Sequence, residues 1–196
     1  MVETITSGNF TCEETGIDGL KVISPKVFED DRGYFMETYS RRNFEEIGIE
    51  CEFVQDNQSK SSKGVLRGLH FQKNYAQSKL VRVVRGEVLD VAVDLRPDSQ
   101  TRGKYFAVRL SAENKKQFFI PRGFAHGFLV LSDEAEFCYK VDDFYHANDE
   151  GGIAWDSAGI DWPLEEVGGK EALILSDKDQ KWLGLQEYLS MEKGEK

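Results

Sequence analysis

Histidine is almost missing from this chain, with three in 196 residues, and cysteine is equally scarce. Cys12, Cys51 and Cys138 are odd in number and far apart, which excludes a disulfide framework and the paired spacing of a zinc site. They read as reduced thiols in a cytoplasmic protein. Long apolar runs are lacking as well. Nothing approaches the ~18 apolar residues of a membrane span, and residues 1–10 hold no basic segment followed by an apolar stretch, so neither an anchor nor a leader is expected. Positive charge is in deficit: 25 Lys and Arg against 35 Asp and Glu leave a net charge of −10, which argues against nucleic acid or an anionic membrane as partner. An anionic small ligand would have to meet a local cluster of cations.

What is present suits a packed core, with 40% hydrophobic and 12% aromatic residues. The length fits a single domain over residues 1–196, and no repeat, low-complexity tract or linker divides it. The patterning is mostly β. Residues 79–95 carry two strand-like runs around Arg85-Gly86-Glu87; in the second, Leu89, Val91, Val93 and Leu95 share one face and Asp90, Ala92 and Asp94 the other. Arg96-Pro97-Asp98-Ser99 reads as a turn, followed by a strand with Phe106, Val108 and Leu110 on one face. Further strands are expected over 117–120, 127–131 and 136–141. Many short strands at this spacing favour an antiparallel sandwich, jelly roll or small barrel. Helices are expected only over 41–47, capped by Ser40, and near 177–189, with residues 191–196 frayed.

Two of the three histidines carry the chemical signal, because each sits among glycines and apolar residues with an arginine close by. One is His70, in Gly64-Val65-Leu66-Arg67-Gly68-Leu69-His70; the other is His126, in Pro121-Arg122-Gly123-Phe124-Ala125-His126-Gly127-Phe128. Either ring can be a satisfied core group or a pocket group. Strand alternation puts Arg67 on the face opposite His70 unless a bulge intervenes, and Gly68 is the residue type that permits one. Gly123 and Gly127 leave room for close approach beside His126, with Phe124 and Phe128 as an apolar wall. Tyr139 shares a strand face with Phe137 and Val141, and its hydroxyl needs a partner that a ligand oxygen can supply. Lys79 opens a strand, where it is either solvated or turned inward to stabilise a developing oxyanion. A His-X-His pair is absent, so a metal would have to be gathered from three dispersed histidines; the reading taken is metal-free.

The order of motifs adds a further signal. Asp31-Arg32-Gly33-Tyr34-Phe35-Met36-Glu37, Phe53-Val54-Gln55-Asp56-Asn57, Val65-Leu66-Arg67-Gly68-Leu69-His70, Lys79-Leu80-Val81-Arg82, Asp90-Val91-Ala92-Val93-Asp94 and Ile120-Pro121-Arg122-Gly123-Phe124-Ala125-His126-Gly127-Phe128 follow one another, and Trp162-Pro163 and Leu175-Ser176-Asp177-Lys178-Asp179 complete the series. The series resembles the signature blocks of the dTDP-4-dehydrorhamnose 3,5-epimerases, over about residues 15–189. That resemblance implies an all-β, cupin-type jelly roll with a few short helices, a homodimer, and a mechanism without metal or organic cofactor.

It also implies roles. The substrate would be a dTDP-linked 4-keto-6-deoxyhexose whose hydrogens on carbons 3 and 5 are acidified by the ketone. By the resemblance His70 is the base, Asp179 its carboxylate partner, Tyr139 the acid and Lys79 the cation receiving charge on the carbonyl oxygen. Arg67 and His126 match positions near the sugar and phosphates, with His126 a hydrogen-bond donor or cation. Arg32 and Glu37 match positions that reach a neighbouring subunit's pocket, Gln55, Asp56 and Asn57 match polar contacts in the same area, Tyr145 matches the ring stacked on thymine, and Glu150 and Lys178 match peripheral contacts. Two departures touch the pocket border: Ala147 stands where the family commonly has proline, and the segment 153–160 looks shorter. Relatives that epimerise one carbon or move the ketone, and a silent nucleotide-sugar-binding jelly roll, are the alternatives.

Overall fold

A computed structural model describes residues 3–194. The chain runs through β1 (Thr4–Ser7), β2 (Phe10–Glu14), β3 (Lys21–Pro25), the hairpin β4 (Val27–Asp30) and β5 (Gly33–Met36), and helix α1 (Arg41–Glu46). It continues through β6 (Gln55–Ser62), β7 (Leu66–Gln72), β8 (Lys79–Arg85), β9 (Glu87–Asp94), β10 (Tyr105–Ser111), β11 (Gln117–Ile120), β12 (Phe124–Val130), β13 (Glu134–Val141), β14 (Glu150–Gly152) and helix α2 (Leu185–Gly194). Seven strands form one sheet in the order β1-β2-β3-β11-β8-β13-β6, and five form a second in the order β10-β9-β12-β7-β14. Neighbouring strands in both sheets pair antiparallel. The expected all-β sandwich is therefore present.

Alternation along the strands builds three apolar layers. Between the sheets, Val81, Val83, Phe118, Ile120 and Phe137 of the larger sheet meet Val88, Ala92, Phe124, Phe128 and Val130 of the smaller. The outer face of the smaller sheet, with Leu89, Val91, Val93, Ala125 and Leu129, is covered by the C-terminal segment through Ile153, Trp155, Val167 and Leu185. On the outer face of the larger sheet, Phe44 and Ile47 at α1 pack with Phe10, Cys12, Ile23 and Phe119. Both faces of β9 are thus buried. Its acidic face, carrying Asp90 and Asp94, points between the sheets, where both residues are 0% exposed.

Several boundaries differ from the sequence reading. β12 starts at Phe124 rather than 127, β13 at Glu134 rather than 136, and the N-terminal strands and β6 were not read from the pattern. Ser40 does precede α1 but makes no side-chain cap bond. Helix α2 begins at Leu185, well past the expected 177, because the 177–180 region is a turn whose Asp179 is tied to Ser176: the Asp179 N–H donates to Ser176 Oγ at 3.3 Å. The expected fraying from 191 is also corrected in part, since α2 continues to Gly194; residues 195 and 196 lie outside the described residues.

Candidate active site

A cavity of about 550 Å³ opens between the sheets, within the size range of small-molecule sites. The smaller sheet lines it with Arg67, His70 and His126, the larger with Ser59, Lys79 and Tyr139, and the C-terminal segment closes it with Ser176, Lys178 and Asp179. Groups distant in sequence converge because the strands that carry them are interleaved.

A bulge makes the first of these placements possible. Opposite β12, His70 pairs with His126 and Arg67 with Phe128, so two residues of β7 face the single Gly127. The extra residue turns Arg67 to the side of His70, and both line the cavity. Gly68 is required there: its φ is +123°, and a Cβ would lie 2.5 Å from Gly127 Cα and 2.7 Å from the His126 carbonyl oxygen. Arg67 is further held by donating from Nε to Ser61 Oγ at 3.1 Å.

Two His–Asp pairs border the cavity. His70 Nε2 is hydrogen-bonded to Asp179 across 109 residues of sequence, which leaves Nδ1 as the other ring nitrogen. Asp179 also accepts from Ser176 Oγ at 2.8 Å. Burial pushes the Asp179 carboxyl up, but the bonds from His70 and Ser176 outweigh it and hold the group below its ordinary range as an anion. His126 Nε2 lies 2.9 and 3.1 Å from the two oxygens of Asp90. Here burial dominates: it lowers the His126 pKa and raises that of Asp90 despite their mutual attraction. Burial thus disfavours an imidazolium at His126, which suits a hydrogen-bonding role better than a cationic one.

The larger sheet supplies the remaining chemistry. Lys79 has its ammonium pKa lowered by burial to about 8, with Asp90 and Glu150 opposing the fall. Burial raises the Tyr139 hydroxyl, with Arg67 opposing, so the phenol keeps its proton at neutral pH. At the mouth, Glu150 and Lys178 pair at 2.7 Å, and Tyr145 lines the cavity while 56% exposed.

The other residues singled out in the sequence lie outside this cavity. Arg32 sits on the turn of the β4–β5 hairpin, paired with Asp30 at 2.5 Å and 89% exposed. Glu37 accepts from Asn9 Nδ2 at 2.9 Å. On the edge strand β6, Gln55 donates to Asn57 at 2.8 Å, and the pairing of Asn57 with Tyr139 puts Asn57 on the inner face. Asp56, paired to Lys140 at 2.7 Å, belongs to the opposite face. Within the chain, then, these five residues are not brought to His70.

Among the site residues that the sequence reading did not single out are Asp90, Ser59, Ser176 and Gln72. Asp90 and Ser176 stood inside quoted motifs, and the signal for Asp90 was acidic alternation on a strand that is otherwise apolar. Gln72 had no local signal. Among the described residues, no group of three or more His, Cys, Asp or Glu side chains is arranged to hold a metal ion, and no helix is long and apolar enough to cross a membrane.

Comparison with known proteins adds an independent observation. Residues 14–187 match the family model described as dTDP-4-dehydrorhamnose 3,5-epimerase. A protein of that description from Methanothermobacter thermautotrophicus is 56% identical over 176 residues, covering 89% of this chain and 94% of its own. The Escherichia coli K12 protein so described is 52% identical, covering 90% and 95%. Among solved structures, the Legionella pneumophila dTDP-6-deoxy-D-glucose-3,5-epimerase in complex with dTDP-4-keto-L-rhamnose superimposes with a TM-score of 0.86 at 48% identity, covering 92% of this chain and 96% of that one.

Proposed function

The chain belongs to the dTDP-4-dehydrorhamnose 3,5-epimerase family and is an isomerase acting on a sugar, and from that premise we propose how its side chains work. The substrate is dTDP-4-dehydro-6-deoxy-D-glucose, inverted at carbons 3 and 5. Each of these carbons adjoins the C4 ketone, so removing its hydrogen as a proton leaves an enolate stabilised by the carbonyl. His70 takes the proton through Nδ1, and Asp179 fixes the ring and stabilises the imidazolium that forms. Lys79 meets the charge that moves to the carbonyl oxygen; with its pKa at about 8 it is mostly a cation at neutral pH. Tyr139, on the opposite sheet, returns a proton from the other side. Each inversion leaves His70 protonated and Tyr139 as the phenolate, and exchange of protons with water returns both to their starting states before the next one.

The observation that carries this reading is the meeting of His70 and Asp179 at a cavity whose far wall supplies Tyr139 and Lys79. Arg67, Lys178 and His126 contact the sugar and diphosphate, and local cations in the cleft answer the anionic substrate despite the net charge of −10. In His70→Ala, solvent deuterium entering carbons 3 and 5 should slow by about 10³-fold, the range of a lost general base. Unchanged exchange would refute the assignment. Incorporation at one carbon only in the unaltered protein would make it a mono-epimerase.

A homodimer belongs to the same proposal. Phe28, Tyr34 and Phe35 of the β4–β5 hairpin are 42%, 59% and 66% exposed beside Arg32. A second copy covering them would bring Arg32 and Glu37 toward its own cavity, near Gln55, Asp56 and Asn57. The expected solution mass is that of two chains, and a fully active monomer would remove these five residues from the site. A cytoplasmic location is included because Cys12, Cys51 and Cys138 are all free.

A further inference from the structure

The rim of the cavity is built around one buried amide. Gln72 ends β7, two residues beyond His70, and is 7% exposed. Its Nε2 donates to the carbonyl oxygens of Tyr75 at 2.6 Å and Phe144 at 3.2 Å. Its Oε1 accepts from the His146 N–H at 2.5 Å. One carboxamide thus grips the backbone on both sides of Tyr145 and ties it to the 73–78 loop. Side chains reinforce the same junction. The Tyr75 and His146 rings stack with centroids 3.9 Å apart, and Asp149 accepts from the Asn74 and Tyr75 N–H groups at 2.9 and 2.8 Å.

We propose that Gln72 is a positioning residue for the nucleotide half of the substrate, acting through Tyr145. Tyr145 is more than half exposed, so packing alone does not hold its ring. The backbone bonds to Gln72 set where that ring stands relative to the cavity. Gln72 also shares a strand with His70, and i and i+2 positions along a strand lie about 6.6 Å apart on one face. The strand that carries the base therefore also sets the reach to the nucleotide-binding rim. A buried amide satisfied at both ends is costly to disturb and geometrically specific, which suits it to this task.

The inference rests on Tyr145 contacting the nucleotide, and a double-mutant cycle separates the two. Gln72→Met, Tyr145→Ala and the double variant are titrated calorimetrically with dTDP, and kcat and KM are measured on the 4-keto sugar nucleotide. Gln72→Met should weaken dTDP binding about tenfold, the equivalent of one or two lost positioning bonds, with the loss in KM rather than kcat. In the Tyr145→Ala background the same change should cost less than about twofold, because coupled residues are not additive. Equal cost in both backgrounds, or a loss confined to kcat, would overturn the role of Gln72. Unchanged dTDP binding in Tyr145→Ala would instead overturn the reading of Tyr145. Gln72→Glu is the companion variant if Gln72→Met does not fold: it keeps the acceptor for His146 and opposes two carbonyls, so it should weaken dTDP binding at least as much, and unaltered binding would refute the proposal.

Discussion

The same two residue types, histidine and aspartate, are paired twice in this molecule and behave in opposite ways. His70 and Asp179 meet at the edge of the cavity, where the aspartate gathers bonds from both His70 and Ser176 and is held as an anion. His126 and Asp90 meet between the sheets, where desolvation outweighs their attraction, lowering the His126 pKa and raising that of Asp90. What differs is the supply of further hydrogen bonds against the depth of burial. An anionic Asp179 is placed to stabilise positive charge on the ring beside it, whereas the deeper burial of Asp90 and His126 resists new charge there. On the proposed mechanism, two histidines that look alike in sequence therefore divide into a base and a hydrogen-bonding contact.

Replacing each aspartate tests that division most directly. Asp179→Asn should lower kcat by about 10³-fold, since the amide leaves the imidazolium without its counter-charge, while the midpoint of thermal unfolding moves little. Asp90→Ala should do the reverse. It strands a buried imidazole and deprives Lys79 of a nearby negative charge, so about 3 kcal/mol of stability is expected to go, with a smaller loss of rate in the protein that remains folded. Denaturant titration and steady-state kinetics on both variants give the comparison. If Asp90→Ala abolishes proton exchange as completely as Asp179→Asn, the two pairs are equal partners in the chemistry and the division fails.

Much of this was legible in the sequence, and the parts that were not share a cause. Alternation over 79–95 and 105–111 placed β8, β9 and β10, because sheets print their period onto sequence wherever one face differs from the other. The edge strand β6, with polar residues throughout Gln55-Asp56-Asn57-Gln58-Ser59-Lys60, prints none. The bulge at Gly68 was readable as a condition: Arg67 and His70 could share a side only if it existed, and it does. The turn at 177–180 was mistaken for helix because its local pattern is helical, while its actual partner, His70, lies 109 residues away. Gln72 was invisible for a related reason, since a buried amide that clamps backbone 72 and 74 residues on leaves no local periodicity. Motif order put forward His70, Lys79, Tyr139 and Asp179, and the fold brings all four to one cavity.

Lys79 offers the finest test, because it lies within the field of Asp90 and not among the groups that shift Asp179. With a folded-state pKa of about 8 and a requirement for its cation, kcat/KM should fall above pH about 8, approaching tenfold per unit. The Tyr139 hydroxyl titrates above its ordinary value of 10.0 and so cannot account for that limb. Stability should move the other way. The unfolded lysine keeps its proton to about 10.5, so between pH 8 and 10.5 the unfolded chain binds more protons and the contribution of this group to stability rises with pH. Lys79→Met should abolish both slopes. Asp90→Asn, by removing the charge that supports the ammonium, should shift the kcat/KM limb to lower pH, whereas Asp179→Asn should slow the reaction without moving it. A limb displaced equally by both substitutions would mean that the two pairs form one electrostatic unit, and that burial alone does not separate the base from its hydrogen-bonding counterpart.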